Sequence, residues 1–116
     1  MKKKKFNILA FVNIVLNVQV DGSVAANAFS FYSVHLIVQG TMNIAVNRTG
    51  NVPLYVKQGD LPTTTLYDFS DTSDNSSIIL SVPDAQQGIW FLGFFGLSQS
   101  TFSFITNANS ILRASS

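Results

Sequence analysis

The sequence predicts an all-β protein, a jelly-roll-like antiparallel β-sandwich of about eight strands. Apolar residues recur at a period of two through most of the chain, as strands with one buried face require. Gly, Pro, Asn and Asp interrupt these runs at nearly even spacing, which is turn chemistry. No segment holds a helical period over about ten residues.

The length of 116 residues suits one domain, spanning 1–116, with a basic tail at 1–5 and a C-terminal tail at 107–116. Hydrophobic residues make up 47% and charged ones 11%, which excludes a disordered chain. Ten Phe supply most of a core, each worth about 1.5–3 kcal/mol when buried, so neither metal nor staple is needed. With no cysteine, disulfides, thiolate chemistry and Cys-held metals are excluded.

Four of the seven cationic residues are Lys2–Lys5, leaving three cations against six Asp in the rest of the chain, a net of −3. A mildly acidic body lacks the basic face that nucleic-acid binding needs. The lysine run reads as a solvated tail, the start of a leader or an expression remnant.

Residues 1–28 admit two readings. Basic start, apolar run and Ala26-Asn27-Ala28 imitate a secretory leader. The strand reading is stronger: every even position from Phe6 to Val20 is apolar, whereas Asn7, Asn13, Asn17, Gln19 and Asp21 fall on odd ones. No run approaches the roughly 18 apolar residues of a membrane span.

Asp21-Gly22-Ser23 then reads as a turn. Residues 29–38 form a strand with Phe29, Phe31, Ser33, His35 and Ile37 opposed to Tyr32, Val34, Leu36 and Val38. After Gln39-Gly40, the alternating Met42, Ile44 and Val46 make another. Leu54, Tyr55 and Val56 favour a pleated surface. Gln58-Gly59-Asp60 reverses the chain, and residues 63–67 read as the return strand. Residues 70–77 are a polar loop, 77–82 a strand ended by Pro83, and 84–88 a turn. Residues 88–95 (GIWFLGFF) form the most apolar strand, fit for burial on both faces or a sheet-to-sheet contact. Residues 101–106 close the pattern.

The order GSVAANAFSFYSVHL, MNIAV, GNVPLYVKQGDLPTTTLYDFS, IILSVPDAQQGIWFLGFFG and STFSFI resembles the bacterial pre-peptidase C-terminal domain over residues 18–105. LYVKQG and the stretch from Pro83 to Phe91 carry most of the likeness. The resemblance implies a jelly-roll-like sandwich appended to secreted peptidases and other exported proteins. The family's G-D-x-D-L-Y-V arrangement has Asn51 and Pro53 at its acidic positions here, so two carboxylates that a hard cation would use are missing from that turn.

His35, the sole histidine, reads as structural, since no Ser-His-Asp or two-His metal set can be built. A Glu-free chain with six scattered Asp is poorly suited to paired-carboxylate hydrolysis. Asp68, Asp71 and Asp74, at spacing three in a polar loop, read first as a solvated turn. The alternative is a cation site, with calcium the one cofactor to consider. Tyr55, Tyr67 and Trp90 read first as packing residues, and alternatively as an aromatic surface for a sugar or a fibrous protein. Asn47 and Asn75 each begin an N-glycosylation acceptor pattern in an expected turn.

Two functional expectations follow. The first is a non-catalytic module, extracellular or on the cell surface, that binds or attaches within a larger secreted assembly. Its partners would be protein domains or subunits, a polysaccharide or a fibrous protein. The second is a structural subunit whose long N-terminal arm adds to a neighbour's sheet edge, giving a homo-oligomer.

Overall fold

The alternation is realised as two facing sheets in the computed structural model, which describes residues 11–110. Nine strands follow in order: β1 (Phe11–Asn13), β2 (Val20–Val24), β3 (Phe29–Leu36), β4 (Gly40–Arg48), β5 (Leu54–Gln58), β6 (Phe69–Asp71), β7 (Ser77–Ala85), β8 (Gly88–Phe95) and β9 (Ser100–Ser110). One sheet has the order β1-β3-β8-β5-β6 and the other β2-β9-β4-β7. All pairings are antiparallel except β1 with β3.

The core is aromatic at its centre. Tyr32 and Phe94 from the first sheet meet Phe102 and Phe104 from the second. Phe94 stacks on Phe102 with ring centres 4.2 Å apart and 12° between planes. Tyr32 stands nearly edge-on to Phe104 at 5.0 Å. Around them pack Val34, Leu36, Met42, Ile44, Val46, Leu54, Val56 and Leu92, all buried. Such close packing leaves little room for other shapes. Gly22 shows why: a Cβ there would lie 2.3 Å from the Tyr32 hydroxyl and 2.7 Å from the Phe102 ring.

That glycine corrects one expectation. Asp21-Gly22-Ser23 is the middle of β2, not a turn, and Gly22 is required by the close approach of Tyr32. The reversal falls later, at Asn27, which takes the left-handed φ of 61°. The long first strand is also corrected. Within the described residues it stops at Asn13, and Asn17 adopts φ 68° as the chain leaves the first sheet for the second. The Ile14 amide bonds to the Ser33 carbonyl and the Asn17 amide to the Thr106 carbonyl, so this short link is tied to both sheets. Ile14, Leu16 and Val20 still pack against the core, which preserves part of the alternation. The basic tail, residues 6–10 and residues 111–116 lie outside the described residues.

Three further boundaries move. The return strand is β6 rather than residues 63–67, where Thr63 instead closes a local turn by accepting from the Leu66 amide. Strand β7 runs through Pro83 to Ala85, because β7 is an outer strand and its register with β4 shifts between Gly40 and Met42. A residue without an N–H is tolerated at such an edge irregularity. Strand β9 continues beyond Thr106 to Ser110, paired throughout with β4, so residues 107–110 belong to the sheet rather than to a tail.

Thr106 is fully buried and its hydroxyl has no partner among the described residues. Thr106→Val keeps the shape and removes the unsatisfied group, so stability should rise by about 1 kcal/mol. A lower melting temperature for the variant would refute this.

Candidate functional site: the aromatic outer face

The two sheets present unlike outer faces. That of β2-β9-β4-β7 is mostly polar, with Ile79 exposed among Asn, Ser and Thr: Asn47 accepts from Ser77 at 2.9 Å, Asn43 accepts from Ser81, and the Thr49 and Thr101 hydroxyls lie 3.2 Å apart. The outer face of the five-stranded sheet is aromatic. Phe29, Phe31, Phe91 and Phe95 occupy the positions on β3 and β8 that alternate with the core-facing Tyr32, Trp90 and Phe94. Phe29 stacks on Phe31 at 4.8 Å and tilts against Phe95 at 4.9 Å. Gly93 lies beneath them; a Cβ there would meet the Phe29 and Phe31 rings at 3.0–3.1 Å. Phe11 extends the patch, set edge-on to Phe91 at 5.1 Å.

Tyr55 and Tyr67 belong to this face. Their rings are 5.1 Å apart; Tyr55 is 7% exposed and Tyr67 42%. Trp90 does not join them. It points into the sandwich at 4% exposure, and its indole N–H donates to the Gln86 carbonyl at 2.9 Å. Odd and even positions of β5 and β8 explain the split, since Tyr55 pairs with Gly93 rather than with an even residue. The surface therefore consists of Phe residues from β1, β3 and β8 joined by two of the three expected aromatics. The sequence signal for it was available: β3 and β8 carry aromatics at both parities.

The three aspartates have separate tasks. Asp68 accepts from the Gln58 amide at 2.9 Å, while Asp74 is exposed. Asp71 accepts from the Ser73 amide and hydroxyl and pairs with Arg48 at 3.2 Å. Among the described residues no three carboxylates or imidazoles gather into a cation cage. The organising residue of the loop is Arg48, whose side chain is wholly buried. Its Nε donates to the Asn75 carbonyl, Nη1 to the Val52 carbonyl, and Nη2 to Asp71 and both oxygens of Ser73. One guanidinium thus ties the loop after β6 to the segment before β5. Sequence reasoning missed it, although Arg48 continues the buried series Met42, Ile44, Val46 at a period of two.

Partial burial pushes the Asp71 carboxyl up, but the Ser73 hydrogen bonds and the Arg48 guanidinium together outweigh it and hold the carboxyl below its ordinary range. The folded carboxyl therefore ionises more readily than the unfolded one. Its contribution to stability is complete above the unfolded value of about 4 and disappears as pH falls through the lower folded value. Urea midpoints measured from pH 5 to pH 2 should drop more steeply for the native chain than for Asp71→Asn. Parallel profiles would refute the assignment.

Asn75 is exposed in the loop held by Arg48, but Asn47 lies within β4 rather than in a turn. His35 is exposed on the outer face opposite Ile89, with no hydrogen bond to a carboxylate among the described residues.

No family model matches the sequence, and no curated protein matches it. Solved structures do. The pre-peptidase C-terminal domain of a collagenase from Bacillus anthracis superposes with a TM-score of 0.72 at 13% identity, over 89% of this chain and 100% of that one. PliG from Aeromonas hydrophila, a periplasmic inhibitor of g-type lysozyme, superposes with a TM-score of 0.57 at 12% identity, over 84% and 96%. The chain thus has the two-sheet sandwich fold of the pre-peptidase C-terminal domain, and the likeness is one of structure.

Proposed function

We propose that this protein is a non-catalytic extracellular or surface module that attaches a larger secreted assembly to its target through the aromatic outer face of the five-stranded sheet. The observation that carries the reading is the contrast between the two outer faces, one Asn/Ser/Thr-rich and one built from Phe and Tyr. Apolar surface left on one side of a small sandwich marks a contact site. The two solved relatives, a collagenase's accessory domain and an inhibitor of a lysozyme, support a fold that works through its surface. The target class is a polysaccharide or a fibrous protein.

The test is retention on immobilised polysaccharide and on gelatin. Phe11→Ala with Tyr67→Ala, both at exposed positions, should abolish retention while circular dichroism stays unchanged. Asn43→Ala with Ser81→Ala on the opposite face should have no effect. Equal retention of both pairs would remove the aromatic face from consideration.

A second reading is a self-assembling subunit. It is favoured by β1, an edge strand of its sheet that leaves Phe11 and Val12 exposed at 44% and 58%. A neighbour's strand could take that place. Light scattering at rising concentration should then show growing assemblies; a constant monomer mass refutes it.

A further inference from the structure

At one end of the aromatic face lies an open groove of about 710 Å³ between β1 and the turn that follows β5. Phe11 from β1 and Phe91 and Ile89 from β8 line it, the two rings set edge-to-face at 5.1 Å. Gly59, at φ 85°, forms the turn that borders it. Among the described residues, none that lines the groove is charged.

Its polar groups are two amides and a buried hydroxyl. Ser33 donates to the Asn13 carboxamide oxygen, which leaves the Asn13 Nδ2 donors without a partner among the described residues. Gln58 Nε2 donates to the Gln87 carbonyl at 2.9 Å, while Gln58 Oε1 has no donor among the described residues. Each amide is thus oriented by one internal bond and has its other end available. The donor on β1 and the acceptor on β5 have β3 and β8 between them, so they match hydroxyls on successive sugars of a chain whose apolar C–H faces lie against the rings. Charge bears on the class: among the described residues no cation lines the groove, and Lys57, cross-strand from Phe91, stands at its border, so a polyanionic chain would find few charge partners there.

We propose that this groove is a binding site for a neutral glycan, with Phe11 and Phe91 as the stacking rings and Asn13 and Gln58 as the hydroxyl readers. The proposal rests on the reading of the aromatic face as the binding face and names the ligand of one end of it.

Native-gel retardation should be measured with soluble neutral polysaccharides (hydroxyethyl cellulose, galactomannan, soluble starch), with anionic polygalacturonate, and with gelatin. At least one neutral polymer should retard the chain and polygalacturonate should not. Phe91→Ala should weaken that binding by about tenfold, as loss of one stacking contact implies. If Phe91→Ala proves unfolded, Ile89→Asp serves, since Ile89 is 42% exposed and its charge would enter the groove. Ile89→Asp should lose neutral-glycan binding with unchanged circular dichroism. Retardation by gelatin alone, or by polygalacturonate as strongly as by the neutral polymers, would overturn the glycan site and leave the attachment reading standing. Retardation by nothing would overturn both.

Discussion

Replacing Arg48 by methionine should lower the unfolding free energy by about 3–5 kcal/mol, the range for removing one partner of a buried ion pair. Methionine fills the space of the aliphatic stem, so the loss isolates the guanidinium. Without it, the Val52, Ser73 and Asn75 carbonyls and the Asp71 carboxylate all lose a charged donor. Arg48→Lys should recover little, because a single ammonium cannot address acceptors spread around a planar fork. Urea unfolding gives the magnitude, and amide exchange gives the place. Residues 50–53 and 71–76 should lose protection while β8 keeps its own. A loss under about 1 kcal/mol for the methionine variant would mean that the loops hold themselves.

Phe94→Ala should be of comparable size, about 3–5 kcal/mol, for a different reason. Phe94 is fully buried and touches three rings: stacked on Phe102, edge-on to Tyr32 at 5.9 Å and tilted against Phe104 at 4.9 Å. Those rings come from both sheets, so the cavity would open where the layers meet and could not collapse by moving one strand. The melting temperature should fall by more than about 12 °C for a domain of this size. Phe95→Ala, one residue on and facing outward, should cost much less. Equal losses for the two would contradict the assignment of faces.

The strands were readable wherever alternation and burial agree. Residues 88–95 form β8 at the bounds read from the sequence, because Gly88 at one end and Gly96 just past the other fall where regular pairing stops. Strand β3 was likewise found, two residues too long at its end. The failures share one cause: a residue's usual local role was overridden by a neighbour distant in sequence. Gly22 signals a turn, yet it serves the Tyr32 hydroxyl. Pro83 signals a stop, yet it sits in an outer strand where its missing donor is tolerated. Among the candidate site residues, Tyr55 and Tyr67 proved to be neighbours, whereas Trp90 lies on the other side of the same sheet. The role of Arg48 could not be read from its flanking residues, since its acceptors lie in loops up to 27 residues away.

The same proline bears on how copies of this chain can meet. Strand β7 forms a nine-residue margin of the polar layer, long enough to template an incoming peptide. Within its last four residues, however, such a peptide would encounter Pro83 without an amide hydrogen and Asp84 at φ 58°. A continuous ladder cannot propagate past that point. The usable border is thereby shortened to the stretch from Ser77 to Val82, so an intermolecular ladder built there is limited to six residues.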